Sequence, residues 1–255
     1  MLFDKVTFIG IDPTAGERPF VYAALDDDLK LLALGQGSMD EVLAFAAGQQ
    51  HALAAVCAPR QPNLGLMARG EVRQSLATPP NPGRWENFRM ADYLLRLHNI
   101  SIPQTPGSEE ACPNWMRNGF TLFRRLEALS YQAYPDSQAA CQSLEVYPYA
   151  CYAVLLGGLP FPKHSLEGRL QRQLALYEQG VNVPDPMRFF EEITRHRLLK
   201  GILPLDELYS PGELDALVAA YTAWKAATKP DQVLLLGDSR EGQLVLPAAE
   251  LKPRY

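Results

Sequence analysis

Val6-Thr7-Phe8-Ile9-Gly10-Ile11-Asp12-Pro13 is the stretch on which the fold turns, together with the residues after it as far as Leu34. Residues 6–11 are apolar and β-branched, and Asp12-Pro13-Thr14-Ala15-Gly16 breaks the run, which predicts a buried strand ending in a turn. Residues 19–25 read as a second strand, Asp26-Asp27-Asp28 as its turn and residues 29–34 as a third strand. Short strands joined this way form an antiparallel meander. Ser38-Met39-Asp40-Glu41 then has the spacing of a capping box and opens a helix through Val42, Phe45 and Ala46. The apolar run at 51–57, halted by Pro59, predicts a fourth strand that returns to the same sheet by a right-handed crossover.

Residues 58–83 hold several Pro and Gly and read as a long loop, and loops of such length usually serve a function. Helices are expected at about 84–98, 114–130, 149–156, 165–179 and 186–200, the last with Asp185 as N-cap and Pro186 at its first position. Residues 143–147 are short and strand-like, with Pro148 as the stop. Ser210-Pro211-Gly212-Glu213 combines an N-cap, a Pro and a capping Glu, and Leu214, Leu217, Val218, Tyr221 and Trp224 come next at helical spacing. Residues 232–236 and 243–246 read as a closing hairpin. The expectation is one α/β domain over 1–255, with a helical and loop insertion at 58–135 and a C-terminal hairpin at 230–247.

The 255 residues are 47% hydrophobic and 21% charged, which excludes disordered and fibrous classes. A net charge of −5 argues against a general nucleic-acid coat, though not against one local basic groove. No apolar run has the roughly 18–20 residues that span a bilayer, so no membrane partner is expected. Asp4 and Lys5 stand where a signal peptide would have its apolar core, and a cytoplasmic location is expected. Cys57, Cys112, Cys141 and Cys151 form no C-x-x-C pair and no zinc spacing, and read as free thiols.

Three acids share an unusual context. Asp12 ends the first strand, where α/β sheets bind ligands; Glu145 sits between Leu144 and Val146; and Asp215 lies in the first turns of the last helix beside its apolar face. A lone carboxylate is costly to bury, so each either binds a cation or has a simpler partner. For Asp12 the simpler partner is its own turn, for Glu145 an arginine, for Asp215 the helix macrodipole. Oxygen ligands of this kind suit Mg²⁺ or Mn²⁺. Lys163, Arg169 and Arg172 are candidates to hold a phosphate backbone, the two arginines being three apart on one helix. Arg60, Arg84 and Arg89 flank the proline-rich loop as a further cationic group.

Six segments carry a resemblance. Phe8-Ile9-Gly10-Ile11-Asp12-Pro13, Ala55-Val56-Cys57-Ala58-Pro59 and Leu144-Glu145-Val146-Tyr147-Pro148 occur in that order. Phe161-Pro162-Lys163 with Gly168-Arg169 comes next, then Leu214-Asp215-Ala216-Leu217-Val218-Ala219-Ala220-Tyr221, and finally Gly237-Asp238 and Glu241-Gly242 before Leu244-Val245-Leu246-Pro247. Together they resemble the predicted RNase H-like nuclease family, domain of unknown function 429, over about residues 6–247. The resemblance implies a ribonuclease H-like fold, a mixed five-stranded sheet with helices on both faces. It also implies that Asp12, Glu145 and Asp215 gather around two divalent ions, Mg²⁺ or Mn²⁺, and that a metal-activated water hydrolyses a nucleic acid or nucleotide. The family's activity is itself inferred from fold.

Two places depart from the family pattern. Members usually carry an Asp where this chain has Cys57, a soft ligand poorly suited to Mg²⁺. They also often carry a His-Asp pair where this chain has Pro211-Gly212. A weakened hydrolase, or a non-catalytic nucleic-acid or nucleotide-binding module on the same fold, is the alternative expectation. Gly10 to Gly16 also resembles the first phosphate loop of the actin and sugar-kinase type, but the chain carries no second copy.

Overall fold

The computed structural model describes residues 5–14, 18–81, 83–193, 198–201 and 205–255. The meander forms as expected: β1 (Thr7–Asp12) pairs antiparallel with β2 (Phe20–Leu25), and β2 pairs antiparallel with β3 (Leu31–Gly37). Helix α1 (Met39–Ala47) is closed at its start by the Ser38–Glu41 capping box and leads to β4 (Ala52–Val56), parallel to β1. The chain then runs through α2 (Gly70–Gln74), α3 (Met90–Leu97), α4 (Asn114–Ala128) and the two-residue β5 (Gln132–Ala133) to β6 (Cys141–Glu145). Beyond it lie α5 (Pro148–Leu156), α6 (Leu166–Glu178), α7 (Arg188–Glu192) and α8 (Pro211–Thr228), and then β7 (Leu234–Leu236) and β8 (Leu244–Leu246).

The described strands make one mixed sheet in the order β3-β2-β1-β4-β6-β8-β7, with β5 beside β6. The expected five strands are therefore extended to eight: β5 pairs with β6, and β8, paired with β6 through Glu145 and Leu244, draws β7 and itself into the sheet. Strand alternation divides the core. Phe8, Leu53 and Leu144 face α5, α6 and α8, whereas Ile9, Ile11, Ala54 and Val56 face α1 and α4. A Cβ on Gly10 would stand 1.9 Å from the Ala216 carbonyl oxygen, so glycine is what lets α8 lie directly on β1.

Several boundaries differ from expectation. The helix expected from residue 84 begins only at Met90, because Trp85 takes a left-handed φ of +64° that no helix can continue. Pro148 starts α5 at its first position rather than ending a strand, so β6 closes at Glu145 and extended Tyr147 serves as the N-cap. Of the helix expected at 186–200, Arg188–Glu192 is helical, and residues 194–197 lie outside the described set. The four cysteines are free, as expected. No described helix is long and apolar enough to cross a membrane.

Candidate active site

Parity along β1 sends Phe8, Gly10 and Asp12 to the α8 face, and the close approach at Gly10 carries Asp215 of α8 into the same region. Asp12 and Asp215 line one cleft of about 830 Å³, within the usual size of a small-molecule site. Burial, and then the negative charge of Asp215, push the Asp12 carboxyl up to about 7, against the pull of Lys163 and Arg18. Burial likewise raises the pKa of Asp215, with Lys163, Arg172 and His164 opposing it. Lys163 donates from Nζ to Asp215 Oδ2 at 2.7 Å. Burial disfavours its ammonium, but Asp215, joined by Asp12, outweighs that and raises the Lys163 pKa.

Lys163 reaches this position through a braced loop. Ser165 donates from its N–H and Oγ to the Pro162 carbonyl, at 3.0 and 2.9 Å, and also caps α6 through the Gly168 N–H. A side chain at 168 would clash with the Pro162 carbonyl, at 2.0 Å from a Cβ. Arg172, 2% exposed, donates from Nη1 to the carbonyls of Phe161 and Gly168 at 2.8 and 2.9 Å.

The expected phosphate-binding trio is thereby divided. Lys163 faces the acid pair. Arg169 instead donates to the carbonyls of Tyr209, Leu205 and Leu208, tying down the approach to α8. Arg172 borders the cleft, but its Nη1 is engaged by the loop that carries Lys163.

Glu145 does not join the aspartates. It is in register with Val56, whose side chain faces α1 and α4, so Glu145 points through the opposite face of the sheet from Asp12. There Arg89 Nη2 approaches its Oε1 at 2.8 Å and the Arg60 N–H donates to its Oε2 at 3.0 Å. Arg60 also donates to the Ser143 carbonyl and pairs with Glu127. Of the three cations flanking the loop, Arg89 thus pairs with the buried carboxylate by its guanidinium and Arg60 reaches it by its backbone N–H. Cys57 does face the aspartates; it donates from Sγ to the Asp215 carbonyl at 3.6 Å, and burial, then Asp12 and Asp215, push its thiol far up, keeping it protonated. Among the described residues, no three His, Cys, Asp or Glu side chains converge as a metal-binding group.

Sequence reasoning missed part of the lining. Arg18, Trp115, Tyr147, Tyr149 and Phe161 border the cleft, and so does His164, for which its place beside Lys163 was the sequence signal. Arg18 had a usable signal, since the β1–β2 connection lies at the sheet end where Asp12 sits. The aromatic residues had none, because tertiary packing brings together the starts of α4 and α5 and the loop before α6.

A family model described as a protein of unknown function (DUF429) matches residues 10–241. The chain belongs to the DUF429 family. No curated protein matches it. Within the DUF429 match lie the cleft residues Asp12, Lys163 and Asp215, and also Glu145 with its Arg89 partner.

Proposed function

We propose that this DUF429 protein hydrolyses phosphodiesters, with Asp12 and Asp215 holding one divalent cation, Mg²⁺ or Mn²⁺, on a ribonuclease H-like sheet. The observation that carries the reading is the meeting of these two carboxylates in one cleft with Lys163 on Asp215. Burial and the negative charge of Asp215 resist the ionisation of Asp12 even with Lys163 and Arg18 nearby. A hard cation offsets that charge. The core strand order β3-β2-β1-β4-β6, with β1 antiparallel to β2 and parallel to β4, supports the fold assignment.

The residues present fit one ion better than two. Glu145 is engaged by Arg89 on the other face, and the protonated Cys57 is a poor ligand for a hard ion. Lys163 supplies beside Asp215 positive charge that a second ion would bring. When bound, the ion supplies Lewis acidity toward the phosphodiester. Lys163 and Arg18 hold phosphate oxygens by charge-assisted hydrogen bonds, and the brace from Arg172 keeps Lys163 in place.

The test is cleavage of short RNA, DNA and small phosphodiesters in Mn²⁺. Asp12→Asn should lower the rate roughly 100-fold or more with an unchanged circular dichroism spectrum. Equal rates in the variant would reject the assignment. One observation favours a second reading, a non-catalytic nucleotide-binding module: the Cys57 thiol occupies the α8 face beside both aspartates. In that case calorimetric titration gives no heat at millimolar metal, and Cys57→Asp restores binding.

A further inference from the structure

We infer that the cleft seats an unpaired nucleobase, so that its ligand is a nucleotide or a single strand rather than a duplex. The inference rests on the reading of Asp12 and Asp215 as the reacting end of the cleft, but it concerns the aromatic part of the lining. Trp115, Tyr147, Tyr149 and Phe161 line the same cleft as the aspartates and Lys163. Phe161 is 54% exposed, an unusual placement for a phenyl ring, and it stands two residues before Lys163 on the loop that Arg172 braces. Tyr147 and Tyr149 lie with ring centroids 6.1 Å apart, and the Tyr147 hydroxyl donates to the Ser101 carbonyl at 3.2 Å, which holds that ring in place.

Aromatic faces beside a carboxylate pair would also suit a neutral sugar. The cations decide between the two. Lys163 and Arg18 border the cleft, and an anionic phosphate matches them where a sugar hydroxyl does not. Aromatic platforms alongside a cationic groove are the arrangement by which single strands are held, because every base offers a π-face. In a duplex those faces are stacked against neighbouring bases, and enzymes that act on a base must take it out of the stack. A cleft of about 830 Å³ has room for one or two nucleotides and buries them on several sides.

The experiment reads binding alone, by fluorescence anisotropy of the full chain in Ca²⁺. The labelled probes are an eight-nucleotide oligothymidylate, an abasic strand of equal length and a blunt hairpin duplex. The oligothymidylate should bind roughly tenfold tighter than either other probe, and Phe161→Ala should remove about that factor for it alone. Phe161→Trp should retain the affinity, which separates a lost stacking face from a damaged loop. Lys163→Met should weaken the oligothymidylate and the abasic strand alike. Equal affinity for the oligothymidylate and the abasic strand, a preference for the hairpin, no binding at all, or indifference to Phe161→Ala would each overturn the inference. Failure of the hydrolase reading looks different: the oligothymidylate binds with this pattern, yet Mn²⁺ brings no cleavage.

Discussion

Asp12 carries its proton to an unusually high pH because burial and the charge of Asp215 both oppose its ionisation. An acid whose pKa is raised on folding binds protons more tightly in the native state. Its contribution to stability is therefore full below about 3.8 and is lost as pH climbs through about 7. In chelator, thermal melts of the parent should fall across that range, and Asp12→Asn should flatten the fall. At pH 8 the variant should melt higher than the parent by roughly 2 °C or more; an identical pH profile would contradict the assigned acidity. Glu145 predicts the opposite behaviour. It is 4% exposed and neutralises Arg89, itself 1% exposed, so Glu145→Gln leaves a buried guanidinium without its partner. Chemical denaturation should reveal a loss of about 3–5 kcal/mol, while calorimetric affinity for Mn²⁺ stays as in the parent.

Elements meet where small residues permit it. The contact of β1 with α8 depends on Gly10, since any Cβ there would enter the backbone of Ala216 and Ala220, at 1.9 and 2.5 Å. Backbone cannot yield as a flexible side chain can, so Gly10→Ala should cost about 3 kcal/mol or more in denaturant unfolding. The same substitution should widen the separation of Asp12 from Asp215 and weaken metal binding in whatever fraction remains folded. A variant as stable as the parent would mean that helix and strand are not seated as described. Capping is the converse case, an element-level feature readable from four residues. Ser38 with Glu41, and Ser210 with Glu213, form both halves of their boxes as their spacing predicts. The late start of α3 was not readable this way, because the left-handed Trp85 leaves no mark in periodicity or composition.

Across the whole molecule, the C-terminal hairpin ties the insertion at 58–135 to the sheet. Glu241, 1% exposed, accepts from the Leu64 N–H at Oε1 and from the Met90 N–H at Oε2, both at 3.1 Å. Arg89 donates to the Gly242 carbonyl at 3.1 Å while its other contact holds Glu145. Glu241→Ala should speed hydrogen exchange at Leu64 and Met90 and leave the β1 amides protected; protection unchanged at both sites would remove this role. Local physics, legible in the order of residues, sets the meander, the capped helices, a carboxylate at the end of the first strand and a Lys163 loop ahead of α6. Those features depend on hydrogen bonds and hydrophobic periods spanning a few residues. It took the packed molecule to bring Asp215 to Asp12 while turning Glu145 to Arg89, and to make Arg169 and Arg172 braces for the site that Lys163 enters. The reason is parity and register. A strand sends successive side chains to opposite faces, so one position along β6 separates a cleft ligand from a core ion pair, and pairing with β4 settles which it becomes.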